Sequence, residues 1–223
     1  MDNQTDEINT RRLSLYQQLF LYGDFQPLKF KIDVEQLQTE LSQFDSNWVV
    51  YNKHKGSTGR LALSVTSLDG GLSGEPDLQS LKEFSERTGK IYSENDFNKP
   101  TQVYQSCKSL HEVLNYFEGG LGRCRIVKFD KGGFFPPHRD LSLKHQVPDY
   151  FRIFVPLQNT GENSLYFIYD DKKIKYEVGR AYLFNALKTH SVFSFAENTV
   201  TLAISLQLNQ TNIRSAISAL EVR

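Results

Sequence analysis

From Gly122 onward the chain breaks into short aromatic and β-branched runs: RCRIVKF (123–129), YFRIFVPL (150–157), NSLYFIYD (163–170), KIKYEV (173–178), RAYLF (180–184), HSVFSF (190–195) and TVTLAISLQL (199–208). Gly, Pro, Asn or Asp separates each from the next, and no helical periodicity intervenes. Runs of this kind are strands joined by turns. With the stretch around 134–143 they amount to about eight strands, the number a jelly roll requires. Strands so spaced close into an antiparallel sandwich or barrel, because a parallel sheet would need crossover helices between them.

The first half reads differently. Leu13, Tyr16, Leu19 and Phe20 have helical spacing within 8–21, and Asp33 caps a helix in which Val34, Leu37, Leu41 and Phe44 share a face. Two more helices are predicted over 77–89, opening on Asp77, and 107–117, ending against Gly119 and Gly120. Short extended runs cover 48–51 and 61–66, and SLDGGLSGEPD (67–77) reads as a long surface loop. The expected architecture is α+β: a helix-rich buttress (1–121), a β-barrel core (122–208) and a C-terminal helix in 209–223, all in one composite domain of 223 residues.

Charge is balanced, 26 Lys and Arg against 26 Asp and Glu, which argues against a general nucleic-acid binder and leaves recognition to a local site. Cys107 and Cys124 match neither a disulfide framework nor a zinc pattern, so a reducing compartment is expected. The polar start MDNQTDEINTRR does not resemble a signal peptide, and no apolar run approaches the ~18 residues of a membrane span. A soluble, cytoplasmic protein follows as the expectation. No sequence feature speaks to oligomeric state.

The chemistry concentrates in FFPPHRDLSL (134–143). On an extended strand His138 and Asp140 project to one face and Arg139 to the other. His190, 52 residues after His138 at another strand start, can be brought beside them by an antiparallel double sheet. Two His and one carboxylate on one face of a metal suit Fe(II) oxygen chemistry. A His-x-Asp triplet is common by itself; the Pro-Pro lead-in, the all-β surroundings and the later His give it weight. Of the other histidines, His54 and His111 fall in the helical half, and His145 reads as an exposed loop residue before Pro148, with a place at the site mouth as the alternative.

GRCRIVKFDKGGFFPPHRDLSL, DYFRIFVPLQN and GRAYLFNALKTHSVFSF together resemble the Fe(II)/2-oxoglutarate-dependent dioxygenases of the aspartyl/asparaginyl β-hydroxylase-like group, which includes proline cis-4-hydroxylases. The resemblance covers 122–208 and implies a double-stranded β-helix, with His138, Asp140 and His190 as iron ligands and 2-oxoglutarate and O2 as co-substrates. It further implies hydroxylation of an amino acid or an amino-acyl side chain, with release of succinate and CO2.

A dicarboxylate needs a cation at its far end, and an arginine fork fits a planar carboxylate. Arg152 is the first candidate, on a strand face shared with Phe154 and Pro156. Arg125 and Lys128 are further cations, with Thr201, Tyr166 and Ser142 as helping hydroxyls. The family usually carries a second Arg about ten residues after the distal His, and here that place is Val200. Arg60 is the candidate for a substrate carboxylate, and Trp48, Tyr92 and Tyr104 are candidate aromatic walls. Two other readings stay open: a cupin-like metal protein that does not use 2-oxoglutarate, and a non-catalytic β-sandwich binding module.

Overall fold

The computed structural model describes residues 3–55, 59–143 and 145–221. Helix α1 (Asn3–Leu19) leads into strand β1 (Phe25–Lys31), helix α2 (Val34–Leu41) and strands β2 (Val49–Val50), β3 (Arg60–Ser64) and β4 (Thr66–Ser67). Helix α3 (Leu81–Thr88), strand β5 (Lys99–Pro100) and helices α4 (Gln102–Ser106) and α5 (His111–Tyr116) complete the first half. Strands β6 (Arg125–Phe129), β7 (Phe134–His138), β8 (Tyr150–Pro156) and β9 (Leu165–Tyr169) come next. Strands β10 (Lys172–Lys173), β11 (Arg180–Phe184), β12 (His190–Ser194) and β13 (Thr199–Gln207) precede helix α6 (Gln210–Ser218).

One antiparallel sheet runs β1-β11-β8-β13-β6-β3-β2 and a second β10-β9-β12-β7, while β4 and β5 pair by themselves. Strands β6, β8, β11 and β13 lie in the first and β7, β9, β10 and β12 in the second, which is the strand exchange of a jelly roll. The fold class is thus α+β with a jelly-roll core. Strand alternation divides the apolar residues into two clusters. Phe151, Ile153, Val155, Leu202 and Ile204 face outward under the helices, where Leu19, Leu37, Leu110, Leu114 and Ile213 cover them. Phe154, Val127, Phe129, Phe167 and Phe184 pack between the sheets.

Local chemistry explains most element ends. The Asp33 carboxylate accepts the Gln36 N–H at 3.0 Å, starting α2, and Gly89 closes α3 in the left-handed region at φ 72°. The helix predicted from Asp77 begins instead at Leu81, because the buried Asp77 carboxylate is taken by the Leu68 N–H at 2.7 Å and Ser80 becomes the cap. The stretch 107–117 divides into a 3-10 turn at Lys108–Leu110 and α5, preceded by α4. The loop 67–77 is not wholly superficial: Pro76 and Asp77 are buried, and Leu78, just after it, joins the inter-sheet cluster.

Strand β1 carried no strand signal because Pro27 interrupts it; it is the edge strand beside β11, with only a bridge from Leu28 to Leu220 on its other side, and an edge strand tolerates a missing N–H. The run 173–178 contributes only the two residues of β10, and the helix expected in 209–223 spans Gln210–Ser218, with 222–223 outside the described residues. No helix among the described residues is long and apolar enough to cross a membrane.

The turn that feeds β7 is held by close backbone contact. The Asp130 N–H donates to Gly59 O at 2.9 Å, and a Cβ on Gly133 would stand 2.3 Å from that same oxygen. Gly133→Ala should therefore lower stability by about 1–3 kcal/mol, read as a fall in the urea midpoint at unchanged m-value.

Candidate metal centre

Strand β7 is an edge strand, and its Pro136 and Pro137 supply no N–H to β12. The pairing slips there: Val192 faces Phe135 but His190 faces His138, so one extra residue bulges on β7. The bulge turns both Phe135 and His138 inward although they are three apart, and sets His138 directly across from His190. Their rings lie 4.2 Å apart. Just beyond the strand, the Asp140 N–H donates to Ala186 O at 2.9 Å, which ties Asp140 to the loop leading into β12. Arg139 goes the other way, to Thr189 Oγ1 at 3.2 Å.

His138, Asp140 and His190 offer ligand atoms all within 4.8 Å of one another. Asp140 Oδ1 lies 3.7 Å from His138 Nε2 and 4.0 Å from His190 Nε2. Each imidazole is oriented by its far nitrogen: His138 Nδ1 is 2.7 Å from Pro136 O and His190 Nδ1 is 3.0 Å from Lys188 O. A carbonyl only accepts, so both Nδ1 atoms carry the hydrogen and both Nε2 lone pairs are bare. That is the tautomer a metal needs, fixed before any metal arrives. The three residues can therefore hold a metal ion.

Burial, with His138 and Arg152 adding to it and Asp140 opposing, lowers His190 to about 4, so its imidazole is neutral at pH 7. Burial would raise Asp140, but Arg152 above all, then His190 and His138, hold its carboxyl below the usual range.

Arg152, expected on the co-substrate, is already occupied. Its Nε bonds Asp140 Oδ2, Nη1 donates to Ser205 Oγ at 3.0 Å, and Nη2 reaches Tyr150 Oη at 3.4 Å and Glu94 Oε1 at 3.3 Å. It fixes the carboxylate of the triad and has no fork to spare. Two other expectations need the same correction. Tyr166 faces outward, with its ring against Phe195 and Lys173 Nζ 3.6 Å above it, because the inward positions of β9 are Leu165, Phe167 and Tyr169. Thr201 is buried beside Val127 and Pro156 on β13 and does not line the cavity that opens onto the triad.

That cavity measures about 1000 Å³. Arg60, Arg123, Arg125 and Arg152 all line it and all are buried. Arg125 is 6% exposed, yet its Nε and Nη1 have no hydrogen-bond partner, and Glu94 Oε2 lies 3.6 Å from Nη1. A buried guanidinium with open donors costs about 1–3 kcal/mol or more until an acceptor arrives. Arg60 lies with its guanidinium carbon 4.0 Å from the Phe135 ring and 5.0 Å from the Tyr51 ring. Burial would raise the Tyr51 phenol, but Arg125, Arg123 and Arg60 outweigh it and lower it.

Val200 faces away from this cluster, against Val34, Leu37 and Leu41 of α2, so no side chain there could reach the cavity. Of the remaining candidates, Lys128 covers Trp48 on the outer face, Tyr104 bonds Asn115 in the helical core, and Tyr92, Ser142 and His145 line the cavity.

Glu94, Arg123 and Tyr51 carried no recognised signal. Glu94 sits on a 3-10 turn whose Ser93 and Asp96 form a capping box, a pattern visible in the sequence as SEND. Its carboxylate meets Arg123 Nε at 3.1 Å, Ser205 Oγ at 3.0 Å and the Arg152 fork, and despite burial those arginines hold it well below the usual range. A depressed folded value means that its stabilisation is present above the ordinary carboxylate pKa and is lost as pH falls. The stability gap between wild type and Glu94→Gln should therefore narrow as urea titrations move below about pH 4.3. Arg152→Met should cost about 3–5 kcal/mol by stranding Asp140 and Glu94, whereas ligand-free Arg125→Met should cost far less, since it removes a group whose donors are open.

No protein-family model matches this sequence, and no curated protein does. Among solved structures, KdgF from Halomonas sp. is similar at 15% identity and a TM-score of 0.31, over 42% of this chain and 74% of that one. A 2OG-Fe(II) oxygenase-family protein from Burkholderia pseudomallei matches at 19% and 0.33, over 40% of this chain and 45% of its own, so this chain spans less than half of it. A predicted oxalate decarboxylase from Thermotoga maritima matches at 14% and 0.31, over 44% and 73%. Likeness at this level carries nothing about activity, and the jelly roll stands on the chain's own strand order with a His-Asp-His cluster inside it.

Proposed function

We propose that the protein is a non-haem Fe(II)- and 2-oxoglutarate-dependent oxygenase that hydroxylates an amino acid or amino-acyl side chain. The observation that carries this reading is a pair of imidazoles with bare Nε2 atoms and one ionised carboxylate, facing a cavity with an open buried arginine. The overall reaction joins R–H, 2-oxoglutarate and O2 to give R–OH, succinate and CO2, with one oxygen atom entering the alcohol and the other the new succinate carboxylate. Fe(II) bound by His138, Asp140 and His190 would supply the activation of dioxygen.

The chain's own residues would do the rest. Arg152 keeps Asp140 ionised and turned so that Oδ1 faces the two histidines. Arg125 takes the far carboxylate of 2-oxoglutarate on its open donors, the task the family gives to the position held here by Val200. Tyr51, packed between Arg60 and Arg125, walls that end of the cavity. Burial of Asp140 and His190 excludes water from the inner side of the centre, and His138 remains open toward the cavity.

Anaerobic Fe(II) with 2-oxoglutarate should give the weak visible charge-transfer absorption of a keto-acid chelate. Asp140→Ala should lose the iron, and Arg125→Met should raise the 2-oxoglutarate Kd at least ~10-fold, as expected for a charge-assisted bidentate contact, with iron binding retained. Iron binding without the absorption would favour the cupin-like reading, and no iron binding the binding module.

A further inference from the structure

Glu94 touches both arms of the site. Its Oε1 lies 3.3 Å from Nη2 of Arg152, the guanidinium whose Nε bonds Asp140 of the triad. Its Oε2 lies 3.6 Å from Nη1 of Arg125, the guanidinium with open donors. Arg123 bonds both oxygens of Glu94, through Nη2 and, at 3.1 Å, through Nε. Ser205 Oγ donates to Oε2 at 3.0 Å and accepts from Arg152 Nη1 at 3.0 Å, so the same hydroxyl anchors both partners.

The two contacts of Glu94 differ in kind. A separation of 3.6 Å is close for charges and too long for a hydrogen bond, and Arg125 Nε and Nη1 are indeed left without acceptors. Glu94 therefore offsets the charge of Arg125 without occupying its donors. A carboxylate arriving at Arg125 gains those donors and meets a like charge close by, in a buried setting where repulsion is stronger than in water. On the other arm the sign is reversed. A cation held by His138, Asp140 and His190 has Arg152 as a positive neighbour, and the negative charge of Glu94 offsets it.

A reaction that takes in one dicarboxylate and gives out another needs a site that lets go. A buried guanidinium with nothing to offset it would hold substrate and product alike. We propose that Glu94 is a positioning residue with two opposed effects: through Arg152 it strengthens the hold of the triad on a cation, and beside Arg125 it weakens the hold on a dicarboxylate so that succinate can exchange for 2-oxoglutarate. The inference rests on the oxygenase reading for the names of the two acids; the charge balance itself needs no turnover.

The test is calorimetric titration of the full chain, anaerobically with Fe(II) and, in the metal-free protein, with glutarate, which has both carboxylates of 2-oxoglutarate and no keto group to chelate. Glu94→Gln should bind glutarate at least ~5-fold more tightly and Fe(II) at least ~5-fold more weakly than wild type. A merely structural role would weaken both. Asp149→Asn removes a carboxylate that lines the same cavity but is half-exposed and bonded to Ser93, and it should change either affinity by less than about twofold. Ser205→Ala frees Oε2 to close on Arg125 and should weaken glutarate at least ~3-fold.

Glutarate binding that is unchanged, weakened or absent in folded Glu94→Gln would overturn the proposal. If that variant does not fold, Ser205→Ala decides, and glutarate affinity unchanged or raised there overturns it. The oxygenase reading fails separately: if wild type lacks the keto-acid absorption while Glu94→Gln tightens glutarate, that reading falls and the role of Glu94 stands, and the converse pair of results spares the reading alone.

Discussion

The contact between Arg152 and Asp140 is the interaction on which the site depends. A carboxylate between two sheets of apolar side chains would protonate if left alone, and a protonated Asp140 would be a poor metal ligand. Arg152 prevents this by bonding Oδ2 and leaving Oδ1 toward His138 and His190. Arg152 is itself an expensive group to bury, and Glu94, Ser205 and Tyr150 satisfy its remaining donors. Glu94 comes from the first half of the chain, so the candidate metal centre in the barrel is supported by a residue from outside it.

Two features of the strands deliver these groups to one place. Alternation along β8, β13 and β6 sets Arg152, Ser205 and Arg125 on the inner face while their neighbours Ile153, Ile204 and Ile126 pack under the helices. The prolines of β7 break alternation at one point, and the resulting bulge brings His138 opposite His190. Regular pairing would have sent either Phe135 or His138 outward. The charged floor and the His-Asp-His cluster thus come from the same sheet geometry, one by keeping the period of two and the other by violating it.

The jelly roll was legible because its strands are short, β-branched and bounded by turn residues, a pattern that depends only on neighbours in the chain. The triad was legible for the same reason: His138 and Asp140 stand together in sequence, and His190 opens a recognisable strand. The illegible parts are those that long-range packing decides. Strand β1 hid behind Pro27, harmless only because its N–H side lies at a sheet edge. Asp77 has the look of a helix cap and was taken instead by the Leu68 N–H. Arg152 was expected to serve the co-substrate because its strand demands an anionic partner, and the demand was met from within by Asp140 and Glu94. Nothing local to Glu94 says that it will be buried among three arginines.

The amino-acid sequence by itself determined an eight-stranded jelly roll, the three candidate ligands and the need for a buried cation, since periodicity, turn chemistry and donor type are properties of short stretches. Tertiary structure alone decided which arginine is bonded to the triad and which is left open, because Arg152 and Arg125 have the same chemistry and the same inward phase. They differ in what comes within reach across the barrel: Asp140 bonds Arg152 and Glu94 Oε1 lies 3.3 Å from it, whereas Glu94 Oε2 stays 3.6 Å from Arg125 Nη1 and the donors there are left open.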